Sequence, residues 1–217
     1  MANLKEIRNR ISSVSSTMQI TSAMKMVSAA KLKKAQDAIT AMRPYADKLT
    51  ELLQSLSATL DADSGSKFAN QREVNNVLLV PITSNRGLAG AFNSNIIKET
   101  AKLTSETYAN QEVSYLTIGK KANDAFKKTN KVIDNKSEVF DNLTFDNVAE
   151  IAEALMEKFV NSEADKVVLV YNKFKNAATQ EIMTEQFLPI VPVEGDADVN
   201  LDYIFEPSKI EIVEQLI

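Results

Sequence analysis

The stretch ITSAMKMVSAAKLKKA, residues 20–35, has the composition of a helix but not of an ordinary amphipathic one. Methionine, alanine, serine, threonine and lysine occur on every face, and the stretch contains no aromatic residue and no acid. Methionine adapts to neighbours of different shape, whereas alanine and serine keep a helix narrow. We therefore interpret this stretch as a slim, positively charged helix that contacts several surfaces.

The same stretch lies inside a heptad pattern that runs over residues 4–60. Its apolar residues recur at steps of three and four, which is the pattern of a coiled-coil seam. We predict a coiled-coil helix over residues 1–60, which Pro44 bends without ending it. The predicted seam comprises Ile11, Val14, Met18, Leu32, Ile39, Met42, Leu49, Leu53 and Leu56.

The length of this helix bears on what it packs against. At 1.5 Å per residue it is roughly 85 Å long, well over the diameter of a domain of about 150 residues. We therefore expect it to need a partner helix. Burial in a helical bundle is an alternative interpretation of the pattern. Nucleic-acid binding is disfavoured because residues 20–35 contain no aromatic residue that could stack on bases. A membrane-surface helix is disfavoured because large apolar anchors such as tryptophan and phenylalanine are absent from the helix.

The composition excludes several classes of site. The 217 residues include no cysteine and no histidine, which removes thiolate nucleophiles, Ser-His-Asp triads and zinc sites of the usual kind. The net charge of -4 is uneven: residues 1–43 hold eight basic residues against two acidic ones. The longest apolar runs are far shorter than the roughly 20 residues of a membrane span, so we expect none.

A second region follows a polar linker at residues 61–73. Buried strands alternate with helical segments over residues 74–206, and this order predicts a small Rossmann-like α/β domain with a parallel sheet. A further alternating segment, residues 179–191, contains Pro189 and is predicted as an edge strand. The predicted strands are 74–85, 113–119 and 165–174, and the predicted helices are 94–106, 120–128 and 147–160.

The glycine-containing segment SNRGLAGAFN, residues 84–93, connects a strand to a helix. Such a turn can direct backbone N–H groups at a phosphate. It carries neither a Lys-Ser/Thr pair nor a G-x-G-x-x-G pattern, so we interpret Gly87 and Gly90 as a structural turn. Nucleotide binding here is the alternative.

Six segments together resemble one family, the gamma subunit of F-type ATP synthase. They extend over the whole chain, from its first helix to its last residues. The segments are LKEIRNRISSV (4–14), ITSAMKMVSAAKLKKA (20–35), RPYA (43–46), SNRGLAGAFN (84–93), VYNKFKNAATQ (170–180) and YIFEPS (203–208).

The resemblance implies a rotor subunit in the central stalk of a proton-translocating enzyme. Implied partners are the alpha and beta subunits of the catalytic hexamer, the epsilon subunit and the membrane c-ring, at the cytoplasmic face of the plasma membrane. It implies a non-catalytic, regulatory and torque-transmitting role, so we expect no catalytic residue, no metal and no cofactor. We expect the stator-facing surface of the shaft to consist of Met24, Lys25, Met26, Lys31, Lys33 and Lys34.

In the family, a second long helix follows the EPS segment and pairs with the first. Here residues 207–217 are predicted to begin that helix, which is cut short at Ile217. A fragmentary sequence, a partner helix from another chain and a paralogue without rotary function are the three explanations, of which we favour the first. Without its partner the seam should promote self-association.

Two other functions are compatible with the sequence. One is a nucleotide-binding α/β protein that dimerises through its N-terminal helix, and ligand-induced stabilisation would distinguish it. The other is a structural adaptor, which would form stable dimers and show no affinity for alpha or beta subunits.

Overall fold

The computed structural model describes residues 3–58, 67–176, 178–191 and 206, with residues 53–58 described by their backbone alone. The chain divides into two units, Met1–Leu52 and Leu53–Ile217. The start of the C-terminal helix predicted at residues 207–217, and the part of the linker at 61–66, lie outside the described residues.

One long helix, α1 (Leu4–Ala58), of 55 residues, makes up the described part of the first unit and ends six residues beyond Leu52. At 1.5 Å per residue it extends for about 82 Å. The predicted long helix is therefore confirmed, and it continues through Pro44 as expected. Glu6 lies in its first turn, where a negative charge interacts favourably with the helix dipole.

The second unit contains a five-stranded sheet with the order β3-β2-β1-β4-β5. Neighbouring strands from β3 to β4 are parallel, and β5 runs antiparallel to β4. Only a short turn separates β4 from β5, too short for the crossover that a parallel pair requires. The expected edge strand is thus confirmed. The strands are β1 (Asn76–Pro81), β2 (Glu112–Thr117), β3 (Val132–Asn135), β4 (Lys166–Phe174) and β5 (Gln180–Leu188).

Helices cover both faces of the sheet. One face packs against α2 and α3 through a core that includes Ile96, Tyr115 and Phe126. The other packs against α4 through Leu155 and Phe159. The helices are α2 (Phe92–Lys102), which continues as a π-helical turn at Leu103–Thr107, α3 (Lys120–Phe126) and α4 (Phe145–Val160), with a 3-10 turn at Ser137–Phe140 before α4.

A buried ion pair joins the segment before β1 to the junction between α4 and β4. Arg72 Nε lies 2.8 Å from Asp165 Oδ1, and the Asp165 side chain is only 9% exposed. The other Asp165 oxygen accepts hydrogen bonds from the backbone N–H groups of Asn75 and Asn76. The Arg72 guanidinium donates to the carbonyl of Ala164 at 2.6 Å and lies over the Phe159 ring. This cluster fixes the entry of the chain into the sheet.

A tyrosine–carboxylate pair links the two antiparallel strands. Tyr171 donates a hydrogen bond from its hydroxyl to Glu185 Oε2 at 2.7 Å. Burial, then the hydrogen bond and negative charge of Glu185, raise the pKa of Tyr171 to about 12. Burial, the hydrogen bond and the negative charge each disfavour the phenolate form of Tyr171.

We predict that Glu185→Gln lowers the pKa of Tyr171, because the negative charge that opposes phenolate formation is removed. The pKa should stay above 10.0, since burial is the larger cause and remains. An ultraviolet titration, with Tyr171→Phe subtracted to isolate this residue, measures the shift. A pKa in Glu185→Gln equal to that of the wild type would contradict the role of the pair.

Candidate interaction surfaces

The proposed stator-facing residues are all exposed on α1. Met24 and Met26 are 65% and 66% exposed. The four lysines of the set are exposed as well, and Lys33 forms an ion pair with Asp37 at 2.8 Å, one turn further along. Because both members of that pair are well exposed, it contributes little to stability and leaves the lysine accessible.

The predicted seam is also exposed wherever its side chains are described, except at Leu49, which is half-buried. The side chains of Leu53 and Leu56 lie outside the described residues. Large apolar residues lie off the seam too, and Ile20, Met24 and Val27 follow one another at steps of four and three. Apolar contacts are therefore available on more than one face of α1. The exposed seam residues are Ile11, Val14, Met18, Leu32, Ile39 and Met42.

The loop after β1 contains the two glycines predicted as a structural turn. Gly90 has a φ of +56°, in the region that favours glycine, whereas Gly87 has no positive φ. Ser84 and Asn93 close the loop: the Asn93 side-chain amide donates to Ser84 Oγ at 2.9 Å, and Ser84 Oγ donates to the Arg86 carbonyl at 2.7 Å. These polar side chains brace the turn.

The amides at the start of α3 are used within the protein. The N–H of Lys120 donates to Asn85 Oδ1, that of Lys121 donates to the Ser84 carbonyl, and that of Ala122 donates to Thr83 Oγ1. A phosphate at this position would have to displace those hydrogen bonds. These three amides are therefore not available to a phosphate. The nucleotide-binding alternative concerns the turn before α2 and stays a prediction.

Two residues of this region were missed by the sequence reasoning. Gly119 has a φ of +108°, and a Cβ there would lie 2.1 Å from the Thr83 carbonyl oxygen. Its position between a strand and a helix is the signal that could have identified it. Leu88 has a φ of +58° and is fully exposed, and no sequence pattern distinguishes it.

The described parts of the chain contain neither a metal-binding cluster nor a membrane-spanning helix. Residues 3–58, 67–176, 178–191 and 206 contain no group of three or more acidic side chains arranged to hold a metal ion. Within the same residues, no helix combines the length and apolar character of a membrane span.

The chain thus belongs to the class of proteins that combine one long exposed helix with a Rossmann-like α/β domain. The family model described as ATP synthase matches residues 3–217. The ATP synthase gamma chain of Flavobacterium psychrophilum is 68% identical over 100% of this chain and 76% of its own length. That of Flavobacterium johnsoniae is 66% identical over the same shares. The chain belongs to the ATP synthase gamma chain family, which confirms the resemblance.

A solved structure agrees with this assignment. A chain in the structure of the Tetrahymena thermophila mitochondrial ATP synthase central stalk and c-ring matches with a TM-score of 0.60 and 26% identity. The match covers 90% of this chain and 84% of that one.

Proposed function

We propose that this chain is the non-catalytic rotor subunit of the central stalk of a proton-translocating F-type ATP synthase. In this role it transmits rotation between the membrane c-ring and the catalytic beta subunits and regulates their activity. The family assignment supports the proposal, and so does the likeness to a chain of a central stalk. The observation that carries it is α1, a 55-residue helix with exposed apolar residues on more than one face.

The chemistry of the proposed stator-facing residues suits contacts that must form and break as a shaft turns. Met24 and Met26 pack acceptably against neighbours of different shape because their side chains are unbranched and polarizable. The exposed lysines can pair with acidic loops of a surrounding subunit, each pair contributing about 0.2 to 1 kcal/mol. Contacts of this strength hold a partner without locking one orientation.

The proposed assembly places the chain among several partners. The alpha and beta subunits would surround α1, and the epsilon subunit and the c-ring would bind the chain at the membrane end of the stalk. The chain would then be a peripheral component at the cytoplasmic face of the inner membrane.

The decisive test combines Lys31→Glu, Lys33→Glu and Lys34→Glu in the intact complex. We expect proton-driven ATP synthesis in membrane vesicles to fall about tenfold, because three exposed pairs of about 0.5 kcal/mol each sum to a factor of that size. Co-purification of the variant with alpha and beta subunits shows that assembly has survived.

The matched control reverses three lysines of the second unit, Lys98, Lys102 and Lys128, which are exposed and form no ion pair with other described residues. The control should keep synthesis within about twofold of the wild type, because it changes the net charge equally without touching α1. Unchanged synthesis in the α1 variant would refute the electrostatic contact. Absence of the wild-type chain from the purified alpha–beta complex would refute the subunit assignment itself.

A further inference from the structure

The outer surface of α4 carries two parallel rows of side chains. An apolar row recurs at steps of four, three, four and four, and an acidic row recurs at similar steps beside it. The acidic row is exposed, whereas the apolar row lies between it and the core residues Ile151, Leu155 and Phe159, against which Met156 packs. We call the two rows together the α4 outer face. The apolar row is Phe145, Ala149, Ala152, Met156 and Val160, and the acidic row is Asp146, Glu150, Glu153 and Glu157.

The N-terminal end of this face is unusually apolar for an exposed surface. Phe145 is 82% exposed and Leu143, two residues before it, is 67% exposed. Phe140 and Val148 add further exposed apolar surface to the same short segment. Single exposed apolar residues are ordinary, but several in one patch mark an interaction site.

The C-terminal end of the face opens into a cleft of about 430 Å³. Phe68, Met156 and Val160 provide its apolar lining. The charged residues at the same opening are Glu153, Glu157 and Lys67. The apolar row therefore runs from an exposed phenylalanine at one end to an apolar cleft at the other. Over four turns of helix this distance is roughly 22 Å.

The charge of the face is not neutralised by the described part of the protein. None of the four acidic-row carboxylates forms an ion pair with a residue that the structure describes. Lys158 of the same helix is paired with Glu163, whereas Lys67 lines the cleft and forms no ion pair with a described residue. A cationic partner would thus meet four carboxylates that form no ion pair with those residues, and at the cleft it would also meet Lys67.

We propose that the α4 outer face is a docking surface for an amphipathic helix of another protein chain, one that carries an apolar row flanked by lysine or arginine. A straight row of this spacing matches the ridge of a second helix. The long stems of lysine and arginine would cover apolar surface at the cleft, and their charged ends would reach the acidic row. The inference depends on the proposed function only because the partner is sought in the purified synthase complex.

The test places the photo-crosslinking amino acid p-benzoylphenylalanine at position 145 of the full chain in that complex. Mass spectrometry of the crosslinked peptide identifies the partner. We expect a peptide of another chain with apolar residues at steps of three and four and at least two adjacent lysines or arginines. A crosslinker at Lys98, an exposed position on α2, should not capture that peptide.

Charge reversal shows whether binding of the partner depends on the acidic row or only on non-specific apolar contacts. Glu150→Lys, Glu153→Lys and Glu157→Lys together should lower the crosslink yield about tenfold, whereas Glu73→Lys, Glu106→Lys and Glu181→Lys together should not. All six glutamates are exposed, so both variants should fold. Crosslinks only within this chain, to a second copy of it or to an acidic peptide, or no crosslink at all, would overturn the proposal. Co-purification with alpha and beta subunits, scored on the same sample, tests the proposed function separately.

Discussion

Replacing Gly119 with alanine should lower the free energy of unfolding of this protein by about 3 to 5 kcal/mol. The φ of Gly119 is +108°, a conformation that costs an L-residue energy even in open space. Here the space is not open, since the added Cβ would lie 2.1 Å from the backbone oxygen of Thr83. A backbone carbonyl cannot rotate away as a flexible side chain can, so β1 or the start of α3 would have to move. Urea unfolding of the wild type and the variant measures the loss.

Gly87→Ala is the matched control, because it adds the same methyl group to the neighbouring loop. Its Cβ would meet only the Lys121 side chain, at 3.6 Å from Cε, and the residue has no positive φ. The unfolding free energy should therefore change by no more than about 0.5 kcal/mol. Equal stabilities of the two alanine variants would show that the contact between Gly119 and Thr83 does not constrain the domain.

Several elements of the fold could be predicted because their signal is local. The long helix follows from a sustained heptad pattern without glycine, and β1, β2 and β4 follow from short apolar runs. The strand β3 (Val132–Asn135) was missed, because it has four residues and only two of them are apolar. The strand forms because it pairs with Tyr115, Leu116 and Thr117 of β2, and a local sequence pattern does not indicate such a pairing. The spacing of apolar residues likewise does not predict the π-helical turn at the end of α2.

For the candidate interaction surfaces, the sequence does not predict which individual side chains are buried and which are exposed. For α1, the sequence predicts a seam that packs against a partner helix, whereas the described seam side chains are exposed except at Leu49. For α4, the spacing predicts an apolar stripe that includes Leu155 and Phe159, which are buried, and Val148, which is 45% exposed. That distinction depends on which side of the helix the sheet covers. The cleft beside Phe68 depends in addition on a segment distant in sequence.

Asp165→Asn should destabilise the protein by about 3 kcal/mol at neutral pH. The substitution leaves the Arg72 guanidinium, whose side chain is 24% exposed, without its carboxylate. It also weakens the acceptor for the backbone N–H groups of Asn75 and Asn76, which lie 3.1 and 2.8 Å from Oδ2. Removing one member of a buried pair costs far more than removing an exposed one, because the other charge stays desolvated. Urea unfolding at pH 7 measures the difference.

The Asp165 carboxylate also determines how the difference in unfolding free energy between the wild type and Asp165→Asn varies with pH. Burial alone would raise the pKa of Asp165, but the N–H groups of Asn76 and Asn75 and the charge of Arg72 outweigh it, so the pKa lies below its ordinary value of 3.8. A carboxyl whose pKa is lower in the folded protein binds its proton less readily there than in the unfolded chain. Its stabilisation is therefore complete above the ordinary pKa and disappears as the pH falls through the folded one. The stability gap between wild type and Asp165→Asn should narrow below about pH 4.

Asp124→Asn is the control that separates this effect from acid denaturation in general. Asp124 also has a lowered pKa, caused first by its hydrogen bond to Lys127, but the pair lies at the surface. Solvent screens such a pair, so its removal should leave the unfolding midpoint at pH 7 almost unchanged. If the gap between wild type and Asp165→Asn stayed constant from pH 7 to well below pH 4, the ionised carboxylate would not be the stabilising species. The anchoring of the segment before β1 would then rest on the contacts of Arg72 with the Phe159 ring and the Ala164 carbonyl, which do not titrate.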